Sequence, residues 1–90
     1  MNFSTGDIVL SKAGRDKNRH FIVMEIVDEN FVMIADGDLR KVDNLKRKKC
    51  KHLENTGNKS DFIVHKIGEG VRVTNPDLKK ELAAYNEKDV

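Results

Sequence analysis

The sequence contains one cysteine, one proline and no tryptophan, and aromatic residues make up 6% of its 90 residues. The single cysteine, Cys50, cannot form a disulfide within the chain, which predicts a reducing compartment. Residues 1–5 lack the charged and apolar regions of a signal peptide, and no apolar run approaches the roughly 20 residues of a membrane helix. We therefore expect a cytoplasmic protein without a membrane partner.

The chain also lacks the signatures of an enzyme. A chain of this size forms one small core, too small to enclose a deep substrate cavity as well. No nucleophile elbow, phosphate-binding glycine loop or His-Glu-x-x-His motif is present. Cys50 and three scattered histidines do not match the paired ligand spacing of a structural zinc site. We predict no catalytic residue, no metal site and no cofactor.

Positive charge is concentrated in the first half of the chain, although the net charge is only +2. Residues 1–52 carry eleven Lys and Arg against eight acids, and residues 53–90 carry six against seven. Residues 40–52 alone hold seven cations and one acid, Asp43. Such a patch attracts polyanions, and the alternative is a solvated face that is basic for solubility.

Short apolar runs separated by turn residues predict a β-meander. The predicted strands cover residues 7–11, 20–27, 31–35 and 39–42, and a fifth covers residues 51–54. Meanders of this length close readily into small barrels, because closure removes exposed edges.

The remainder of the chain changes character. Residues 54–61 are rich in turn formers, whereas residues 62–64 and 71–73 are predicted as short strands. Asn75, Pro76 and Asp77 are typical of a helix start, with Asn75 as the N-cap. The predicted helix has an apolar stripe, Leu78, Leu82 and Tyr85, which is expected to pack on the barrel.

The predicted aromatic core residues are Phe21, Phe31 and Phe62.

Two basic segments are candidates for phosphate binding, the first covering residues 14–20 and the second residues 46–52. In the first, Gly14 permits the positive φ of a sharp bend, and Arg side chains bind phosphate through a planar fork. The second segment could order on RNA. The alternative for each is a solvated loop. The full set is Lys12, Gly14, Arg15, Lys17, Arg19, Arg40, Lys41, Lys46, Arg47, Lys48, Lys49 and Lys51.

Cys50 lies within the second basic segment, between lysines. Neighbouring cations are expected to lower the pKa of its thiol and to make it oxidisable. A third hypothesis is a redox or metal-regulated switch at Cys50, which predicts that Cys50→Ser changes activity. We expect no change.

Seven short blocks, in this order and spacing, carry a family resemblance: residues 6–9, 13–16, 21–23, 35–37, 39–41, 46–49 and 51–53. Together they resemble the KOW group, whose motif is the strand-loop-strand element of several ribosomal and transcription-associated proteins. The similarity is to small archaeal and eukaryotic large-subunit ribosomal KOW proteins and their bacterial relatives. Asn18 stands where many KOW loops have a second glycine, and asparagine tolerates the left-handed conformation.

The resemblance implies a mostly β protein: an SH3-like barrel of about five strands over residues 1–73, with a helical tail over residues 74–90. It further implies a non-enzymatic protein whose partner is structured RNA, often ribosomal RNA. Ribosomal proteins are further partners that it implies. We expect a monomer. The alternative function is a protein-interaction module of the translation or transcription machinery.

Overall fold

The computed structural model describes residues 3–86, which form one antiparallel sheet and two helices. The sheet has the strand order β4-β3-β2-β1-β5. Its strands are β1 (Asp7–Ser11), β2 (His20–Ile26), β3 (Phe31–Ala35), β4 (Lys46–Lys49) and β5 (Leu53–Lys59). The helices are α1 (Asp61–Gly68) and α2 (Asn75–Asn86). A five-stranded β-rich fold with a C-terminal helix was predicted, whereas α1 was not; residues 1–2 and 87–90 of the predicted segments lie outside the described residues.

The sheet is open, because no hydrogen-bonded ladder joins β4 to β5 within the described residues. A flat five-stranded sheet would separate these edge strands by about 19 Å. The chain from Lys49 to Leu53 can span at most about 14 Å, so the sheet must curl. The predicted closure into a barrel is nevertheless wrong. After β4, the N–H of Cys50 donates to the carbonyl of Asn30. A 3-10 turn, Cys50–His52, then leads to β5 without pairing β4 with β5.

Both faces of the sheet are buried, because strand residues alternate between two clusters. In β1, Val9 points to one cluster and Ile8 to the other. The inner cluster lies within the curl and comprises Val9, Phe21, Val23, Val32, Ile34, Cys50 and Leu53. The outer cluster lies under the helices and comprises Ile8, Ile22, Ala35, Ile63, Leu78 and Leu82. Burial on both sides explains why β1, β2 and β3 have continuous apolar runs.

The strand predicted over residues 39–42 is instead a turn. The N–H groups of Asp36 and Gly37 both donate to the carbonyl of Arg40. One carboxylate oxygen of Asp36 accepts from the N–H groups of Asp38 and Arg40, at 3.0 and 2.8 Å. An aspartate that binds nearby backbone in this way competes with strand pairing. The prediction of a strand assumed that Leu39 is a buried strand residue, whereas Leu39 is 57% exposed.

The fourth strand is formed by the basic run itself. Lys48 pairs with Val32, and Lys46 pairs with Ile34. A run of cations has no apolar alternation, so the period-2 pattern that indicates strands was missing. The fifth strand begins two residues later than predicted and continues through the segment expected to be turns, reaching Lys59.

The strand predicted over residues 62–64 lies in α1. The Ser60 hydroxyl accepts a hydrogen bond from the N–H of Ile63, which caps the helix, and it donates to Glu81 in α2 at 2.6 Å. Ile63 is buried, whereas Phe62 is 45% exposed, so the prediction of a core Phe62 is wrong. Residues 71–73 form no strand either.

The predicted C-terminal helix is confirmed, and its stripe packs on the sheet. Leu78 and Leu82 are buried in the outer cluster and Tyr85 packs against it. The N-cap lies one residue earlier than predicted, because the N–H of Asp77 donates to the Thr74 hydroxyl and the N–H of Thr74 donates to the Asp77 carboxylate. This reciprocal pair is a capping box. Within residues 3–86, no helix is long and apolar enough to span a bilayer.

Candidate nucleic-acid interface

The β1–β2 loop, residues 12–19, has the bent backbone that its sequence predicts. Gly14 has φ +78° and begins a 3-10 turn, Gly14–Asp16. Asn18 has φ +71°, which confirms that asparagine can stand at a left-handed position in this loop. The loop is closed by the N–H of Asn18 donating to the carbonyl of Ser11 at 2.8 Å.

The two basic segments meet at this loop. The ammonium of Lys48 donates to the carbonyl of Ala13 at 2.9 Å, and the N–H of Lys12 donates to the carbonyl of His52 at 2.8 Å. Lys48 is only 8% exposed. Its charge therefore anchors the loop to β4, and the loop and the basic run lie against each other.

Two of the predicted arginines form internal ion pairs. Arg19 donates to the buried carboxylate of Asp36 and, at 3.1 Å, to Asp38. Arg40 donates to Asp16, also buried, at 3.1 Å. An isolated buried carboxylate is costly unless it is paired. Arg19 and Arg40 therefore stabilise the loop and the turn beside it, with about 28% and 29% of each side chain exposed.

The turn at residues 36–40 is fixed against α2. Gly37 has φ +80°, and a Cβ at this position would lie 2.3 Å from the carbonyl oxygen of Asn75. The side-chain oxygen of Asn75 accepts from the N–H of Val42 at 2.8 Å. The ion pair between Asp36 of this turn and Arg19 holds the end of the β1–β2 loop.

The remaining candidate cations are accessible but do not share one face. Residues on β4 alternate in direction, so Arg47 and Lys49 lie on the face opposite Lys46 and Lys48. The guanidinium of Arg47 covers the ring of Phe31, 3.9 Å from its centroid. The exposed candidates are Lys12, Gly14, Arg15, Lys17, Lys41, Arg47, Lys49 and Lys51, and Lys46 is half-buried.

A groove of about 380 Å³ lies between the β1–β2 loop and the last turn of α2. Arg15 and Lys17 line one side, and Tyr85 and Asn86 line the other. We name it the loop–helix groove. The ring of His20 packs against that of Tyr85, with centroids 5.0 Å apart and planes inclined by 44°.

Several residues of this region are absent from the sequence-based set. Asp16 and Asp36 position the loop, and no local signal links them to arginines 17 and 24 residues away. Tyr85 was predicted only as a packing residue. The Asn86 side chain forms two hydrogen bonds with the backbone of His20, at 2.9 and 3.1 Å, and no sequence pattern announces such a pair.

The pKa of the Cys50 thiol is shifted in the direction opposite to the one predicted. Cys50 is a member of the inner cluster and 4% exposed. Burial raises the pKa of the thiol, so the prediction of a lowered pKa is wrong. Among residues 3–86, no three His, Cys, Asp or Glu side chains are grouped so that they could hold a metal ion.

No protein-family model matches this chain. A function must therefore be inferred from the residues and their geometry.

Proposed function

We propose that this protein binds structured RNA, ribosomal RNA in particular, through phosphate contacts around the β1–β2 loop. The observation that carries the proposal is the contact of Lys48 with Ala13, at 2.9 Å, which fastens a cation-bearing loop to a cation-bearing strand. Lys12, Arg15 and Lys17 are exposed on that loop. Phosphate contacts of this kind give affinity with little sequence preference.

Internal ion pairs support the proposal by fixing the loop before RNA arrives. Asp36 holds Arg19 at the end of the loop, and Arg40 holds Asp16 in its middle, so these parts of the loop need not order on binding. A preorganised site loses less conformational entropy when its ligand binds. The conformational entropy of ordering the loop is therefore lost when the free protein folds and not when RNA binds.

The proposal includes membership of the KOW group and an SH3-like arrangement of the sheet. Three features support it: the five-stranded antiparallel order, the curl that the short link between β4 and β5 requires, and the bent loop at Gly14. In this reading α1 and α2 are additions that cover the outer face of the curled sheet.

A salt titration tests the RNA proposal. Binding of a labelled RNA stem-loop is measured by fluorescence anisotropy between about 50 and 200 mM salt. Contact with about five phosphates should give a log–log slope of roughly −3 to −5. The double variant Arg15→Gln/Lys17→Gln should weaken binding and make the slope shallower by about 1.4 to 1.8, because two phosphate contacts are lost.

The matched control is Arg72→Gln/Lys80→Gln, which removes the same two charge types from exposed positions outside the loop. Its affinity and slope should stay close to those of the parent protein. Equal losses in both double variants would indicate a general charge effect and contradict a site at the loop. Absence of RNA binding at low salt would overturn the proposal.

The second candidate function is binding of a protein partner. One observation favours it: α1 has three exposed apolar side chains, Phe62, Val64 and Ile67, at 45%, 37% and 38% exposure. Leu78 and Leu82 of the α2 stripe are buried and therefore cannot supply such a surface. A salt-independent interaction, unchanged in both double variants, would favour this candidate over RNA.

A further inference from the structure

The loop–helix groove has the dimensions and walls of a small-ligand site. Its volume of about 380 Å³ lies at the lower end of the range of ligand pockets, roughly 300–1,000 Å³. That space accommodates a single nucleotide unit and excludes a helix of RNA. A site of this size can therefore contact a base only when that base is outside a duplex.

The aromatic wall of the groove is held in place from several directions. The hydroxyl of Tyr85 accepts from the side-chain amide of Asn58 at 2.8 Å, and its ring packs against His20. The two hydrogen bonds between Asn86 and the backbone of His20 fix the last turn of α2 to the start of β2. Tyr85 is half-buried and lines the groove, and a side chain held in this way needs no further ordering when a ligand binds.

The opposite wall carries the charge that a nucleotide requires. Arg15 and Lys17 are exposed, line the groove, and belong to the loop proposed to contact phosphate. A flat ring on one side and cations on the other match the two parts of a nucleotide, since bases stack on aromatic rings and phosphates bind cations.

We propose that the loop–helix groove binds one unpaired base of the RNA, stacked on Tyr85, with the adjoining phosphates held by Arg15 and Lys17. This inference rests on the proposed function and specifies its ligand: RNA with a bulged or looped-out nucleotide, favoured over uninterrupted duplex. The phosphate contacts supply affinity, and the groove supplies the preference for an interrupted helix.

A second cavity, of about 350 Å³, provides a contrast within the same protein. Phe31, Lys49 and Lys51 line it together with the carboxylate of Glu29. Arg47 already covers the ring of Phe31, and the acid opposes a phosphate. The cation over the ring and the acid in the lining both disfavour a stacked nucleotide in this cavity, so Phe31 supplies a control for Tyr85.

The test compares two RNA duplexes that differ only by one unpaired adenosine. The parent protein should bind the bulged duplex about tenfold more tightly than the fully paired one, the effect expected of one base–aromatic stack. Tyr85→Leu should abolish that preference and leave binding of the paired duplex unchanged. Tyr85→Phe, which keeps the ring, and Phe31→Leu, which alters the other cavity, should both retain it.

Replacing the bulged adenosine by 2-aminopurine reports on the stacking directly. Its fluorescence should be quenched by the parent protein and by Tyr85→Phe, and should not be quenched by Tyr85→Leu. Equal affinity of the parent protein for both duplexes, or an equal loss of affinity for both in Tyr85→Leu, would overturn the groove inference while leaving salt-dependent RNA binding intact. Binding of neither duplex at low salt would overturn the proposed function as well.

Discussion

At the residue scale, the carboxylates determine the shape of the candidate interface more than the cations do. Asp36 is 1% exposed and accepts three hydrogen bonds, one from Arg19 and two from backbone N–H groups. Removing one partner of a buried charged pair is costly, because the other partner loses its compensation. A single acid thus holds the 36–40 turn and the end of the β1–β2 loop together.

Substitution of Asp36→Asn should destabilise the protein by about 1–3 kcal/mol, because the buried hydrogen bond to the Arg19 guanidinium loses its charge. Urea unfolding measures the change. Asp38→Asn is the control: Asp38 contacts the same guanidinium, but its side chain is 55% exposed, so the expected cost is below about 0.5 kcal/mol. Equal costs at the two positions would contradict the assignment of Asp36 as the anchor.

At the element scale, the two helices are joined to each other as well as to the sheet. Lys66 of α1 donates to Asp77 of α2 at 2.7 Å, and Ser60, the cap of α1, donates to Glu81 of α2. These contacts join both ends of α1 to α2, and each helix would be marginal alone. The helical layer over the outer cluster therefore behaves as one unit.

This link should depend on pH. The hydrogen bond from Lys66 and the N–H of Thr74 hold the pKa of Asp77 below its ordinary value. A lowered folded-state pKa means that the contribution to stability is present above the unfolded pKa and is lost as pH falls through the folded pKa. Asp77→Asn should therefore lower the melting temperature at neutral pH, and the difference from the parent protein should vanish in strong acid.

A pH series of thermal melts, followed by circular dichroism, measures this gap. Asp43→Asn, at an exposed turn residue, is the control and should show no gap at any pH. A gap that persists unchanged in acid would show that Asp77→Asn acts through the helix cap alone and not through the ionised carboxylate.

The sequence predicts some of these elements for physical reasons that differ from one to the next. Helix α2 is predictable because its start signal and its Leu78 and Leu82 stripe are both local. Helix α1 is not, because Phe62, Ile63 and Val64 favour a strand and the Ser60 cap decides otherwise. Strand β4 is not predictable, because a run of four cations has no apolar alternation. The burial of Lys48 depends on its contact with the β1–β2 loop, which is not a local signal.

The candidate interface is predictable to a similar degree. The bend at Gly14 and the left-handed Asn18 follow from local conformational preference. The ion pairs of Arg19 and Arg40 do not, because they join residues brought together only by the sheet. The groove at Tyr85 depends on docking of α2, so its aromatic wall is recognisable in the sequence only as a packing residue.

At the scale of the whole molecule, the inner and outer clusters share the strands between them. Ile8 and Val9 are neighbours in β1 and belong to different clusters. Loss of packing on the helical side should therefore be transmitted to the curled side, and the described residues should unfold as one cooperative unit. Cys50 in the inner cluster offers a probe of this coupling.

Substitution of Leu82→Ala should destabilise the protein by about 2–5 kcal/mol, because it leaves a cavity in the outer cluster. Alkylation of Cys50 should then accelerate by about tenfold for each 1.4 kcal/mol lost. Urea unfolding and the labelling rate together measure the coupling. Leu39→Ala, at a 57% exposed position, should change neither quantity. A destabilised Leu82→Ala with unchanged labelling would show that the helices detach separately.

The row of cations on β4 has a consequence for self-association. β4 is the outermost strand on its side of the sheet, and an edge strand offers unpaired backbone groups to any passing chain. Lys46, Arg47 and Lys49 carry like charges on that strand, whereas the ammonium of Lys48 is bound to Ala13, so two copies that approached edge to edge would repel. A polyanion laid along β4 would do two things at once: it would occupy the edge, and it would cancel the charge that keeps other copies of the protein away.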